Sequence, residues 1–409
     1  MKTLNLPTPT RWLLILALLL GLSAGCNGGG SHSNATTDAS DDTTALEPDS
    51  GSPDSADTTI ADSADALGTS TEGDATDMTD QNVEYDLGDP VTPQVGRNDH
   101  TLLLEGQSRD FIVYLSSKAQ TNGNAPVVFM FHGSSQDGQT FYDESHWRET
   151  ADREGLIVVF PTALIYCYYE DDNNNGVFGD PGERRLGTKW NHGKLGNPAV
   201  MPLCNESQLA TLTPGNRAKA DHPVVDDVAF SRAMIAFLDA NYSIDAKRVY
   251  ATGFSNGAGF TARLALEASD VFAATHSQAG NLALPPHPTS RPTSRILSVG
   301  EKDDRFVEPL GVSALPLEES LLTDLPWFQI PIGAELTMLQ LSDSYVYDER
   351  FIGGKKVIRY TFSTSTVGAS NQFMFIVIEG LYHQYPNGTN HPVVAADYLW
   401  EFFKPYSLP

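Results

Sequence analysis

Short, uninterrupted apolar runs alternate along this chain with stretches of helical period. Thr101 to Leu104 and Asp110 to Leu115 flank a Glu105-Gly106 turn and predict an entry hairpin. Val127 to Phe131 and Leu156 to Phe160 are continuous apolar strands with a helical stretch, Glu144 to Arg153, between them. From Pro161 to Pro223 the pattern lapses into Gly, Asn, Pro and charge, which predicts a lid or substrate-side insertion. Asp226 is a helix N-cap, followed at helical spacing by Val228, Ile235, Leu238 and Tyr242. A strand from Arg248 to Gly253, a helix from Ala258 to Ala268, strands Ile296 to Val299 and Phe373 to Ile378, and a closing helix Val393 to Phe403 complete the pattern. Continuous apolar strands separated by helices predict an α/β fold: a mostly parallel sheet covered on both faces.

The N-terminus reads differently. Lys2 and Arg11 precede an apolar run from Trp12 to Leu22, then Ser23-Ala24-Gly25-Cys26. The run falls short of the roughly 20 residues a membrane span needs, and its order is that of a secretory signal. The cysteine after Ala24-Gly25 resembles the acylated cysteine of bacterial lipoproteins, although Ser23 stands where a branched aliphatic residue is usual. The expectation is an exported protein, held to a membrane only through lipid on Cys26, with an ordinary signal peptide ending nearby as the alternative. Residues 1–25 are then a signal, 26–96 a linker and 97–409 the folded domain. The linker is mostly Ser, Thr, Asp, Ala and Gly, with no Lys or Arg between Arg11 and Arg97. It cannot bury enough apolar surface to offset its ordering entropy.

Its acidic residues, Asp38 to Asp89, supply more than half of the net charge of −26, so the acidity describes a tether more than a folded surface. No basic patch is present to neutralise phosphates, which argues against a nucleic-acid partner. With Cys26 lipidated, Cys167 and Cys204 remain as a pair that an oxidising compartment would join, two free thiols being the alternative.

The chemistry centres on Gly253-Phe254-Ser255-Asn256-Gly257, between a predicted strand and a predicted helix. A serine held out at such a turn needs small residues two places on either side. It also needs a base and an orienting carboxylate, in chain order Ser, acid, His, each just past a strand end. Glu301-Lys302-Asp303-Asp304 and Glu379-Gly380-Leu381-Tyr382-His383 occupy those places. Asp303 is the candidate acid, with Asp304 as fallback; His383 is the candidate base ahead of His391, His276 and His132. The Asn256 and Ser134 backbone N–H groups are the candidate oxyanion donors, the latter in His132-Gly133-Ser134-Ser135-Gln136 after an early strand.

Four segments resemble the polyhydroxybutyrate depolymerase and feruloyl esterase branch of the α/β-hydrolases. They are His132-Gly133, Asp226-Asp227-Val228 with Arg232-Ala233-Met234, Arg248 to Gly257, and His383-Gln384-Tyr385-Pro386-Asn387-Gly388. The resemblance implies an α/β-hydrolase fold and a Ser255, Asp303 and His383 triad. It implies as substrate, soluble or polymeric, an ester of a hydroxy acid or of a plant-wall phenolic or acetyl group. Ala258, Tyr385 and Glu301-Lys302 depart from the usual pattern. An exported peptidase of the same fold and a non-catalytic surface protein are the competing expectations, and a monomer is the expected form. Triad chemistry requires no cofactor. Asp171, Asn173, Asn175 and Gly176, then Asp180 and Glu183, resemble the start of a calcium loop, but Gly182 occupies the twelfth place where glutamate is expected.

Overall fold

The computed structural model describes residues 2–4, 85–172 and 175–409. Most of the signal, Cys26, the linker up to residue 84 and Asn173 lie outside the described residues. The compact unit resumes at Tyr85, earlier than the expected start at Arg97. Tyr85, Leu87 and Val91 pack on its core, and the Val91 N–H donates to the Asn241 side chain at 2.8 Å.

Thirteen strands are described. They are β1 (Lys2–Thr3), β2 (Gly96–Leu104), β3 (Gln107–Leu115), β4 (Ala125–Phe131), β5 (Ile157–Pro161), β6 (Ile165–Tyr169) and β7 (Arg184–Thr188), then β8 (Ile244–Phe254), β9 (Ala274–Gln278), β10 (Ser294–Gly300), β11 (Ser344–Ile352), β12 (Lys355–Phe362) and β13 (Phe373–Ile378). Eleven form one sheet in the order β1-β11-β12-β13-β10-β9-β8-β4-β5-β3-β2. From β5 to β13 all neighbours are parallel, and antiparallel hairpins close both edges.

Six helices matter for the site: α1 (Gly138–Glu144), α2 (Trp147–Glu154), α3 (Asp227–Asn241), α4 (Asn256–Glu267), α5 (Gln329–Leu339) and α6 (Ala395–Phe403). The two-residue period of a strand divides the core between the faces. Val127, Phe129 and Phe131 of β4 join the cluster containing Phe230 and Phe237 of α3 and Phe260 and Leu264 of α4. Val128 and Met130 join the opposite cluster, with Trp147 of α2, Ile332 of α5 and Trp400 and Phe403 of α6. Asp226 caps α3 as expected, accepting the Val228 N–H at 2.9 Å.

Parallel register is what gathers the site. Phe131 pairs with Gly253, Phe254 with Gln278, and Gly300 with Ile378. The loops after β4, β8, β10 and β13, carrying Ser134, Ser255, Asp303 and His383, therefore leave the sheet on the same edge.

Three expectations need correction. The helical stretch before β5 is two helices broken at His146, whose φ is +66°. The hairpin β11–β12 was not foreseen. The insertion is not structureless: β6 and β7 pair as a separate hairpin whose Tyr166 and Tyr168 are buried. Cys167 and Cys204 are joined by a disulfide, and the Cys204 N–H also donates to the Cys167 carbonyl at 2.8 Å. Closing a loop of sequence separation 37 is worth about 4 kcal/mol in the chain-entropy account. Replacing both cysteines by serine should lower the free energy of unfolding by roughly 3 to 4 kcal/mol. Chemical denaturation of the two forms checks this, and added reductant should shift only the protein that retains both cysteines.

Candidate active site

Ser255 stands between the end of β8 and the start of α4 with φ +52° and ψ −114°, an unusual conformation for a residue with a side chain. Two glycines permit the turn. A Cβ on Gly253 would overlap the Gly257 carbonyl, and one on Gly257 would overlap the carbonyls of Phe131 and His132. A Cβ on Gly133 would lie 3.4 Å from that of Ser255, so the loop after β4 runs directly beside the serine.

The Ser255 Oγ lies 3.0 Å from His383 Nε2. His383 Nδ1 faces both carboxylate oxygens of Asp303, at 3.0 and 3.1 Å. This network assigns the imidazole proton to Nδ1, donating to Asp303, and leaves Nε2 to accept from the serine hydroxyl. The Asp303 side chain is fully buried, whereas that of His383 retains 19% exposure. Asp304, the fallback, is exposed with Arg305 3.9 Å away.

The other histidines are held elsewhere. His276 is buried between Thr252 Oγ1 (2.8 Å) and Ser298 Oγ (2.7 Å). His391 contacts the Glu379 carbonyl and accepts the Val393 N–H. His132 lies under the loop: its Nδ1 donates to the Gly133 carbonyl at 2.7 Å and its Nε2 accepts the Ala163 N–H at 3.0 Å.

Asn256 is the first residue of α4, so its N–H has no acceptor within the helix. The neighbours of Ser134 are fixed by other bonds. The Gly133 N–H donates to Gln136 Oε1, that of Ser135 to the Thr188 carbonyl, and that of Gln136 to the Gly133 carbonyl.

Sequence reasoning missed a three-residue lace at the end of β7. Thr188 bonds to the Gln136 carbonyl through its hydroxyl. Lys189 Nζ donates to Ser134 Oγ at 2.9 Å and to Glu170 Oε1 at 2.5 Å. The Trp190 N–H donates to Asn256 Oδ1 at 2.7 Å, Asn256 Nδ2 donates back to the Trp190 carbonyl, and the buried Trp190 indole donates to the His132 carbonyl. No local motif in Thr188-Lys189-Trp190 announces this; only the buried tryptophan in an otherwise polar stretch hints at it.

The Asn-rich turn closes on itself. Asp171 accepts the N–H groups of Asn175 and Gly176, Asn175 donates to Asp180, and Glu183 Oε2 accepts those of Gly179 and Asp180. Asn173 lies outside the described residues. Among the described residues, its carboxylates do not form a group of three residues whose ligand atoms lie within 4.8 Å of one another; the group that meets that spacing is Asp303, Asp304 and His383.

The strand order, the parallel core and the strand-to-helix turn at Ser255 define an α/β-hydrolase fold. No family model matches the chain. It is 44% identical over 94 residues, 22% of this chain and 27% of the other, to the Nocardia uniformis subsp. tsuyamanensis protein named "Putative esterase NocK". It is 37% identical over 57 residues to the bifunctional acetylxylan esterase/xylanase XynS20E of Neocallimastix patriciarum, covering 14% of this chain and 8% of that one. The chain thus spans well under two thirds of either relative. Among solved structures, an acetyl xylan esterase from Aspergillus awamori aligns over 75% of this chain and 99% of its own, at 14% identity and a TM-score of 0.41.

Burial lowers the His100 imidazole and depresses three others strongly. His132 is lowered to about 4 by desolvation. His192 is lowered to about 3 by desolvation and then by the Lys189 and Lys194 cations, and His276 is lowered well below its ordinary value, again chiefly by burial. In the unfolded chain each would titrate near 6.5. As pH falls from about 6.5 towards 4, the unfolded chain binds protons that the folded one refuses, so stability falls. Each histidine contributes roughly 1.4 kcal/mol per pH unit to that slope. Urea titrations between pH 5 and 6 should show the decline, and His192→Gln should remove about one proton's share of it.

Proposed function

We propose that the chain is an exported serine carboxylic-ester hydrolase acting through an acyl-enzyme, on hydroxyalkanoate esters or on acetyl or feruloyl esters. The observation that carries the reading is the continuous Ser255, His383, Asp303 hydrogen-bond chain at the carboxyl edge of the sheet. His383 Nε2 takes the Ser255 proton, Oγ attacks the ester carbonyl, and the Asn256 and Ser134 N–H groups hold the oxyanion. His383 then returns the proton to the leaving alcohol. Water, activated by the same imidazole, attacks the acyl-enzyme and releases the acid and free Ser255. Asp303 keeps the imidazole in its working tautomer and balances its transient charge. The reaction consumes ester and water only, and no cofactor enters it; calcium at the Asn-rich turn would have a structural role.

A cavity of about 200 Å³ opens against His383. Phe141 and Phe254 supply an apolar wall, and Gln136, Glu144, Gln384 and Asn390 supply oxygen and amide groups. That mixture suits a small acyl ester with an oxygen-rich partner, such as a hydroxy-acid oligomer or an acetylated sugar, more than a long alkyl chain. The esterase and acetylxylan esterase names of the two sequence relatives support the same reaction class.

A fluorophosphonate probe should label the purified protein, and Ser255→Ala should abolish both labelling and hydrolysis of p-nitrophenyl acetate. Labelling that survives the substitution, or a wild type that never labels, refutes the assignment. A panel of p-nitrophenyl esters, methyl ferulate, acetylated xylan and polyhydroxybutyrate resolves the substrate, and faster cleavage of peptide amides than of any ester would favour a peptidase. Export and anchoring have their own test: cells expressing the full chain should incorporate labelled palmitate into it, and Cys26→Ser should not.

A further inference from the structure

The reaction as proposed gives Lys189 no part, yet its ammonium is placed at unusual cost. Its side chain is only 5% exposed, and burial pulls its pKa below the ordinary lysine value. A lysine at the end of a surface hairpin ordinarily keeps its charge in water, because an ammonium is strongly hydrated. Here the charge is turned inward and divided between two acceptors, Ser134 Oγ at 2.9 Å and Glu170 Oε1 at 2.5 Å, with the Tyr168 ring 4.9 Å away. Arg185 lies 3.6 Å from the same glutamate, so Glu170 balances two cations and keeps Lys189 from being an isolated buried charge.

We propose that Lys189 is a positioning residue for the oxyanion hole, a role that rests on the reading of Ser255 as nucleophile. The Ser134 hydroxyl is tethered to a cation that is itself fixed by Glu170. Ser134 therefore cannot rotate without breaking a charge-assisted bond, and its N–H stays directed at the space in front of Ser255. The backbone on either side of Lys189 serves the same end. Thr188 holds Ser135 through its carbonyl, and Trp190 grips the side chain of Asn256, the other proposed donor. Both proposed donors are thus braced by one short stretch of the insertion. The lysine also places positive potential beside Ser134, from which a developing negative charge on the substrate gains.

Ser134→Ala tests this most directly, because it removes the tether and leaves the backbone N–H in place. It should lower kcat for p-nitrophenyl acetate about tenfold with KM changed less than twofold, and should slow fluorophosphonate labelling by a similar factor, since phosphonylation also builds charge on an oxygen in the hole. Lys189→Met should do the same. The double variant should be no slower than the slower single one, because both cut the same link. Multiplicative losses, or single variants with wild-type kcat, would overturn the proposal. If Lys189→Met fails to fold, Ser134→Ala with Glu170→Gln supplies the same non-additivity test. Loss of labelling in Ser255→Ala with normal kcat in both tether variants would reject the role of Lys189 alone, whereas persistent labelling of Ser255→Ala would reject the reading beneath it.

Discussion

At the carboxyl end of the sheet, the first turn of α4 lies against the carbonyls of Phe131 and His132, and β8 lies against the carbonyl of Gly257. Neither approach leaves room for a Cβ, and this contact is the constraint on which the site depends. With helix and strand so close, the single residue linking them has to reverse the chain sharply, and Ser255 does so with φ +52°. Such a conformation costs about 1 to 3 kcal/mol and persists only where the surroundings over-determine it. Phe260 and Leu264 of α4, packed into the core beneath, supply that determination. A helix displaced outward by the width of a methyl group would carry Oγ beyond hydrogen-bond reach of His383.

The insertion extends this constraint instead of relieving it. Asn256 is fixed by paired hydrogen bonds to the Trp190 backbone, and the Trp190 ring stacks on Phe260 with centroids 5.3 Å apart. Asn191 donates its N–H to Asp227, which is also paired with the buried Arg109 at 2.5 Å. Opening this end as a flap would expose an indole and strand a buried ion pair's shared acceptor. Such losses run to several kcal/mol. The end of the insertion nearest the serine therefore behaves as a wall of the site.

Much of this was legible in the sequence because it is written in local patterns. The apolar runs at Val127 and Phe373 gave strands, Asp226 gave a cap, and Gly-X-Ser-X-Gly gave the turn. What was not legible depends on distant pairing. The hairpin β11–β12 carries charged residues at Asp348, Glu349, Arg350, Lys355, Lys356 and Arg359, because one side of it faces water near the edge of the sheet. Its strands close on each other through the Arg359 and Asp348 ion pair, which periodicity does not register. The lace at Thr188-Lys189-Trp190 is likewise invisible locally: its partners lie at Ser134, Glu170, Gln136, His132 and Asn256, brought near only by the folded sheet.

The choice between Asp303 and Asp304 shows how a local rule and a distant one can meet in one atom. Asp303 is the N-cap of the short helix Asp304–Leu310, and its Oδ1 accepts the Arg305 N–H at 3.1 Å. That bond turns the carboxylate back towards the end of β10, where His383 arrives from the neighbouring strand β13. Asp304, one residue further, is inside the first turn and exposed. One of its carboxylate oxygens comes within 4.8 Å of an imidazole nitrogen, but the hydrogen bonds of Nδ1 go to Asp303. The capping requirement thus also aims the carboxylate at the histidine.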